Sequence, residues 1–230
     1  MSDKILIIDT STEACSVALL QNNQLTSRFD VTPQSHTKMV LPMVDSLLSE
    51  ANIKVSALDA VAWGRGPGSF TGVRIGTGIM QGIAMGADKS VIPLSTLATM
   101  AQQAIEEHQA EYVMAGIDAR MGEVYWAVYQ NINGLAKLVE QEIVASPEAL
   151  NALNFEQPHY VGVGTAWQAY PQLKELANIT VLEEILYPQA KSMAALAVQA
   201  LKDGEVVDVA DAAPVYVRDT VTWQKLPGRE

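Results

Sequence analysis

Apolar residues follow one another without a break in the first strand that the sequence predicts. Residues 4–9 read KILIID, and such a run is typical of a strand buried on both faces of a sheet. A polar turn and a second apolar stretch, residues 14–20, come next, and QNNQ at 21–24 predicts another turn. We therefore expect the chain to open with a β-hairpin.

The same pattern occurs again in the second half of the chain. Residues 112–118, YVMAGID, predict a strand that ends in Asp, VYWAVY predicts a second strand, and Asn133-Gly134 favours a hairpin turn. This duplication predicts two related lobes with a cleft between them, as in actin, Hsp70 and sugar kinases (the ASKHA fold). Each lobe of such an α/β protein opens with a β-hairpin in a mixed sheet flanked by helices. The alternative is that two hairpins look alike by chance.

The boundary between the lobes is expected where the chain turns polar, at AQQAIEEHQAE (101–111). This gives an N-terminal lobe of residues 1–105 and a C-terminal lobe of residues 106–230. In the second lobe Ser146-Pro147 predicts a helix start. Further on, the pattern predicts a strand at 159–163, a helix at 166–176 and a helix at 191–202 that stops at Gly204.

A helix with an unusually wide apolar face is predicted from SHTKMVLPMVDSLLSEANI (35–53). Its apolar positions span roughly 180° of the helix surface, whereas packing on one core needs a stripe of about 100° or more. Those positions are Met39, Val40, Met43, Val44, Leu47, Leu48 and Ala51. The helix either faces two neighbours or is buried more deeply in one core.

Glycines are concentrated in GRGPGSFTGVRIGTGIMQG (64–82). The order strand, loop, helix suits a phosphate turn. However, no Gly-Lys-Ser/Thr follows, and Thr71 stands where the dinucleotide fingerprint has its third glycine. Gly78, Gly82 and Gly86 recur at a spacing of four, and each interior helical glycine costs roughly 0.8 to 1 kcal/mol relative to Ala. We interpret the front as a tight turn and the rear as a surface that another helix approaches closely.

Composition narrows the classes of function. The chain has 230 residues, 49% of them hydrophobic, and a net charge of -11, so it should fold and should not bind nucleic acid unaided. A single cysteine, Cys15, cannot form an intrachain disulfide and fits a reducing compartment as a small buried residue. The N-terminal apolar run is too short for a signal peptide or a membrane span. We expect a cytoplasmic protein with no membrane contact.

Residues for hydrolytic chemistry are poorly arranged in the sequence. The three histidines form no His-x-x-x-His pair and have no carboxylate or Cys at metal-ligand spacing, which argues against a zinc or iron hydrolase. Ser11, Ser69 and Thr71 could act as nucleophiles only with a histidine brought near by the fold. A hydroxyl in a turn is more often a hydrogen-bonding cap.

Four segments resemble the bacterial TsaB proteins, also called YeaZ: IDTST, SHTKMVLPMV, GRGPGSFTGVRIG and DARMGEVYWAVY. The resemblance covers nearly the whole chain. TsaB is a relative of TsaD, the subunit that transfers a threonylcarbamoyl group to the adenosine beside the tRNA anticodon. The resemblance implies an ASKHA-type fold, a homodimer when alone or a heterodimer with TsaD, and a complex completed by the ATPase TsaE. TsaC would supply threonylcarbamoyl-adenylate, and tRNA would be reached only through the complex.

The resemblance also implies a non-catalytic subunit. TsaD-like sequences carry a metal-binding His-x-x-x-His after the glycine-rich helix, where this chain has Thr96 and Met100, so a hard Lewis-acid metal would lack its nitrogen ligands. We therefore expect no catalytic residue, no metal and no cofactor. The nucleotide loops lack a glycine after the first Asp and carry a bulky Arg120. The candidate nucleotide-loop residues that remain are Asp9, Thr10, Ser11 and Asp118.

The family's pairing surface is a bundle of the helix after the first hairpin and the helix after the glycine turn. Carried over to this chain, the resemblance places at the interface Met39, Met43, Leu47, Arg74, Ile75, Ile79, Met80 and Ile83. The leading hypothesis is a scaffold that activates TsaD. The alternatives are a glycoprotease-like hydrolase acting on proteins, and a small-molecule kinase of the same fold that would need ATP in the cleft.

Overall fold

The computed structural model describes residues 3–218. Its first half contains β1 (Ile5–Asp9), β2 (Ala14–Gln21), β3 (Gln24–Val31), α1 (His36–Glu50), β4 (Ala60–Gly66), α2 (Phe70–Ala87), β5 (Val91–Ser95) and α3 (Thr96–His108). Its second half contains β6 (Tyr112–Arg120), β7 (Glu123–Ile132), β8 (Leu135–Leu138), β9 (Ile143–Ala145), α4 (Pro147–Leu150), β10 (Tyr160–Val163), α5 (Ala166–Ala169), β11 (Ile179–Val181) and α6 (Ala190–Asp203).

Two mixed sheets with the same strand order form the fold. The first sheet runs β3-β2-β1-β4-β5 and the second runs β8-β7-β6-β10-β11, with β9 added beside β7. In both sheets each of the three opening strands is antiparallel to its neighbour, and the two later strands run parallel to the first strand. The repeated order confirms the duplicated, two-lobed α/β architecture that the sequence predicts.

Both predicted hairpin turns form, and their residues explain why. Asn22 and Asn23 have φ of 53° and 62°, and Asn133 and Gly134 have φ of 55° and 84°. Two successive positive φ angles match the right-handed twist of the flanking strands, and Asn and Gly adopt them at low cost. The turn chemistry therefore fixes the register of the β2–β3 and β7–β8 hairpins.

The first strand is buried on both faces, as its continuous apolar run predicts. Leu6 and Ile8 belong to a core shared with α1 and α2, whereas Ile5 and Ile7 pack on the opposite face against α6. Cys15 is buried on β2, again as expected. The central strand of the first lobe thus separates two hydrophobic layers.

The third helix of each half crosses toward the other sheet. α3 packs on β6, β7 and β8 of the second sheet, while α6 packs on β1, β2, β3 and β5 of the first, and the two helices touch. The boundary predicted between residues 105 and 106 falls inside α3, and α6, although it lies in residues 106–230, packs on the first sheet. The last twelve residues of that predicted lobe, 219–230, lie outside the described residues.

One helix is shorter than the pattern at 166–176 predicts. α5 ends at Ala169, and a 3-10 turn, Pro171–Glu175, follows. Pro171 has no N–H to donate to the preceding turn, so the α-helix cannot continue through it. α6 ends as expected, with Gly204 in the left-handed region at φ 74°.

Candidate functional site

The first group of candidate site residues lies on the loop that follows β1. The buried Asp9 carboxylate accepts hydrogen bonds from the backbone N–H and the hydroxyl of Ser11 through Oδ1, at 3.0 and 2.9 Å. The Ser11 hydroxyl in turn accepts from the Thr96 hydroxyl at 3.0 Å. This chain of hydrogen bonds joins the end of β1 to the start of α3.

The front of the glycine-rich stretch packs directly on that loop. A Cβ added to Gly64 would lie 1.8 Å from Asp9 Oδ2, and one added to Gly72 would lie 2.2 Å from the Thr10 carbonyl oxygen. The Ser69 N–H donates to the Ser11 carbonyl at 2.7 Å, and the Thr10 hydroxyl donates to the Gly72 carbonyl at 2.8 Å. Glycine is required at Gly72 because the helix backbone meets the loop backbone, and at Gly64 because the Asp9 carboxylate fills the space of a Cβ, which confirms a tight turn at the front of the stretch.

On the second lobe, the candidate residue Asp118 lies near the end of β6. Its Oδ1 accepts from the Arg120 N–H at 2.8 Å and from the Tyr170 hydroxyl at 3.1 Å, and its Oδ2 pairs with Arg120 Nη1 at 3.0 Å. Arg120 Nη2 also reaches Glu13 Oε1 on the first lobe at 3.1 Å. The structure therefore places Asp9, Thr10 and Ser11 on the first lobe and Asp118 on the second, with an ion pair between the lobes.

Burial controls the electrostatics of Asp9. Loss of solvation raises the pKa of this carboxyl to about 6, and the hydrogen bonds from Ser11 only partly oppose that shift. An ionised carboxylate at this position lowers the stability of the fold near neutral pH, because the folded state binds the proton more tightly than the unfolded state does.

The histidines take part in contacts that do not assemble a nucleophile or a metal centre. His36 is buried, with Nε2 3.1 Å from the Ala14 carbonyl oxygen. His108 pairs with Glu184, and His159 bonds the hydroxyl of Thr180. Within residues 3–218 no three His, Cys, Asp or Glu side chains converge on a position that could hold a metal ion.

Several hydroxyl groups serve the local structure. Ser69 caps α2, because its hydroxyl accepts from the Gly72 N–H at 3.3 Å, and this confirms the capping role expected for a turn hydroxyl. Thr96, one of the two positions where TsaD-like sequences carry a histidine, is buried and donates to Ser11. Met100, at the other position, packs in the core of the second lobe.

The helices α1 and α2 present part of the predicted interface at the surface. Leu47 and Met80 are exceptions, since their side chains are 1% and 0% exposed within the core of the first lobe and cannot touch a partner. The resemblance indicated which helices form the interface but not which side of each helix faces the sheet. Of the remaining predicted residues, Arg74 is exposed and five are half-buried: Met39, Met43, Ile75, Ile79 and Ile83.

Two exposed apolar residues of α2 escaped the sequence analysis. Phe70 is 58% and Met85 is 69% exposed. Arg74 lies over the Phe70 ring at 3.6 Å and donates to the Tyr216 hydroxyl at 2.9 Å. Met85 could have been found from its spacing, because it follows Gly78 by seven residues and so shares its face.

The rear glycines of α2 lie on that same open face. Gly78, Gly82 and Gly86 are exposed. Apart from its chain neighbours and the backbone of its own helix, a Cβ added to any of them has no described atom within 4 Å. The chain's own packing therefore does not require glycine at these positions, in contrast to Gly64 and Gly72.

No described helix is both long enough and apolar enough to cross a bilayer.

Two sheets of identical strand order, each opening with a hairpin, define an α/β protein of the two-lobed ASKHA class. The model of the TsaD family, described as tRNA N6-adenosine threonylcarbamoyltransferase, matches residues 29–226. The tRNA threonylcarbamoyladenosine biosynthesis protein TsaB of Escherichia coli K12 is 46% identical over 230 residues, which cover 99% of this chain and 100% of that protein. The chain belongs to the TsaB (YeaZ) family.

Further relatives agree with this assignment. TsaB of Haemophilus influenzae is 43% identical over 235 residues, covering 98% of each chain. The solved structure of YeaZ from Pseudomonas aeruginosa is 43% identical, covers 93% of this chain and 99% of its own, and superposes with a TM-score of 0.88.

Alanine substitutions should separate the two kinds of glycine in α2. Gly82→Ala should raise the free energy of unfolding by about 0.8 to 1 kcal/mol, because Ala is the better helix former and its Cβ meets open space. Gly72→Ala gains the same propensity but forces a Cβ against the Thr10 carbonyl, so it should lower that free energy by about 1 to 3 kcal/mol. Urea unfolding of the two variants measures both effects. Equal stability of the two variants would contradict the packing described for the turn.

Substitution of Asp9 should change how stability depends on pH. The folded pKa of about 6 lies above the unfolded value of about 3.9, so wild-type protein loses stability as pH rises from about 4 through 6 and recovers none above it. Asp9→Asn keeps acceptors for Ser11 but does not ionise. Its unfolding free energy relative to wild type should therefore rise by about 2 kcal/mol between pH 4 and pH 7.5. A difference that does not vary with pH, measured by denaturant unfolding at several pH values, would overturn the assignment.

Proposed function

We propose that this chain is a non-catalytic subunit that binds TsaD and organises it for transfer of a threonylcarbamoyl group to tRNA. The observation that carries the proposal is the open glycine face of α2. Three exposed glycines at Gly78, Gly82 and Gly86 together cost about 2 to 3 kcal/mol relative to Ala, and no internal contact offsets this. A second helix that approaches this face closely would recover that cost through contact area.

The surroundings of the glycines suit such a partner. Ile75 and Ile79 flank them on α2, Met85 is exposed beside them, and Met39 and Met43 are half-buried on α1. Methionine adapts to irregular contacts, which is useful on a surface that must accept a partner. Because the TsaD family model matches this chain over residues 29–226, TsaD is expected to carry equivalent helices and to form a helical bundle with α1 and α2. The same face would serve a second copy when TsaD is absent.

The contacts of the candidate site residues favour a subunit that does not itself catalyse the transfer. The carboxylates of Asp9 and Asp118 accept hydrogen bonds from Ser11, Arg120 and Tyr170, and Thr96 replaces a metal-binding histidine. A net charge of -11 favours leaving the tRNA to the partner, since its phosphates would be repelled. TsaE would join through the complex, and the names of the relatives place them in the same biosynthetic pathway.

A bulky side chain in the glycine face should block TsaD without harming the fold. Gly82→Leu points into open space and improves helix propensity, so its melting temperature should equal or exceed that of wild type. Its affinity for purified TsaD in calorimetric titration should fall at least about tenfold, a loss of about 1.4 kcal/mol.

The matched control for that variant is Lys202→Leu, which places the same side chain at an exposed position of α6. It should bind TsaD like wild type. If Gly82→Leu also binds TsaD with wild-type affinity, α2 is not the interface.

Reconstitution tests the function itself. Modification of tRNA by TsaC, TsaD and TsaE should require this chain, and Gly82→Leu protein should not replace it. Ser69→Ala and Thr96→Ala should still support modification, because these hydroxyls cap a helix and bond a neighbour, at a stability cost of about 1 kcal/mol for the cap. Product is measured by mass of the modified nucleoside.

The outcomes of this experiment separate the hypotheses. Equal modification without the chain would refute the activating role. Loss of activity in Ser69→Ala protein that remains folded and still binds TsaD would instead favour the hydrolase.

A further inference from the structure

The first sheet ends in a long strand whose outer edge is open. β3 pairs with β2 through eight consecutive residue pairs, from Ala14↔Val31 to Gln21↔Gln24. Elsewhere in the described chain, Val207 bridges the β5 edge at Val91, and the edge strands β8 and β11 have only four and three residues. An open edge presents unpaired backbone donors and acceptors that can pair with another strand.

The turn geometry shows which groups point outward from β3. Gln21 and Gln24 flank a two-residue turn and therefore form a hydrogen-bonded pair, so the backbone groups of alternate residues after Gln24 face away from β2. The outward set is Leu25, Ser27, Phe29 and Val31. In agreement, the Ser27 carbonyl is reached from outside by Arg28 Nη1 at 3.0 Å, while the Arg28 carbonyl accepts from Ser16 Oγ on β2.

The side chains along this edge favour pairing. Leu25, Phe29 and Val31 share one face of the sheet and are 43%, 41% and 44% exposed. Arg28 and Asp30 lie on the opposite face. Natural edge strands are usually blocked by Lys, Pro or a bulge, but QLTSRFDV contains neither Lys nor Pro, and its pairing with β2 shows no shift of register. The edge therefore lacks the usual protection against another strand.

We propose that β3 pairs with β3 of a second copy of this chain, antiparallel, about a two-fold axis at Phe29. In this register Phe29 lies opposite Phe29 of the other copy, and Ser27 lies opposite Val31. All outward N–H and C=O groups of these three residues find partners. The next position brings Leu25 opposite Pro33, which has no N–H, so the pairing ends there.

Charge selects this register over its neighbour. With the axis at Phe29, each Arg28 stands opposite Asp30 of the second copy, and cross-strand pairs of opposite charge are favourable. An axis at Arg28 would instead place Arg28 opposite Arg28. In the pair, Arg28 Nη1 would leave the neutral Ser27 carbonyl and donate to the Asp30 carboxylate of the second copy, which makes a stronger hydrogen bond. Arg28 Nη2 keeps its contact with Glu50. The Ser27 carbonyl then accepts from Val31 of the second copy.

This interface goes beyond the proposed function and does not rest on it, because β3 contributes no residue to the α2 glycine face. The test should be made in the Gly82→Leu background, in which any homodimer through α2 is blocked. Failure of TsaD binding and failure of β3 pairing are then separate results.

Cysteine cross-linking tests the register. Directly opposite residues of a hydrogen-bonded pair have Cα atoms about 5.5 Å apart, which is within disulfide range. The two copies of Phe29→Cys should therefore cross-link rapidly under mild oxidation by copper phenanthroline. Ser27→Cys is the matched control, since its two copies would lie about 14 Å apart along the paired strands. Cys15 does not compete, because it is buried and burial raises the pKa of its thiol to about 12.

The expected result is a reducible dimer that forms at least about ten times faster for Phe29→Cys than for Ser27→Cys at equal concentration. Similar rates for the two variants, or faster reaction of Ser27→Cys, would overturn the pairing about Phe29.

Charge exchange gives an independent test by sedimentation equilibrium. Arg28→Asp and Asp30→Arg should each raise the dimer dissociation constant several-fold, because like charges then face each other. The double variant should return it toward the parent value. A parent protein that stays monomeric at all concentrations, or single and double variants with equal constants, would contradict the proposal.

Discussion

The contact between the loop of residues 9–11 and the glycine turn is the constraint on which the first lobe depends. A Cβ at Gly72 would meet the Thr10 backbone and one at Gly64 would meet the Asp9 carboxylate, so side chains are excluded at both positions. The bonds from Ser69 to Ser11 and from Thr10 to Gly72 fix both the start of α2 and its rotation about its own axis. That rotation buries Met80 against the sheet and leaves the glycines at 78, 82 and 86 toward solvent. A turn inside the lobe thus determines which surface the helix offers outside it.

The two ends of the glycine-rich stretch differ in what surrounds them. Near its front, the polar groups of the two lobes hydrogen-bond to one another. Asp9 accepts from Ser11, and Asp118 accepts from Arg120 and Tyr170. Arg120 also pairs with Glu13 on the first lobe. On the outer face of α2, the glycines have a cost that the chain does not offset internally. Since a folded chain gains nothing from exposed helical glycine, the unexplained feature of the molecule lies on its surface and not in its cleft.

Local chemistry made much of the fold predictable from the sequence. The Asn-Asn and Asn-Gly turns, the two-sided burial of β1 and the Gly204 stop depend on neighbouring residues, and the duplication was visible because it repeats these local signals. The crossing of α3 and α6 depends on packing between distant segments, which periodicity does not encode. For the same reason no sequence pattern indicates the ion pair between Arg120 and Glu13, and the interface carried over from the resemblance includes Leu47 and Met80, which face the core.

Symmetry limits how the two proposed surfaces can be used together. Pairing through β3 and pairing through α2 would each close a two-fold dimer if used alone. If copies of this chain occupied both surfaces, every subunit would have two neighbours, and the assembly would close only where the two two-fold axes meet at a suitable angle and would otherwise grow without limit. A partner of different sequence at the α2 face ends that growth, because TsaD need not carry an exposed β3 edge of its own. In the complex we therefore expect the open glycine face to bind TsaD and the strand edge to bind a second copy of the chain, whereas a second copy would use the glycine face only when TsaD is absent.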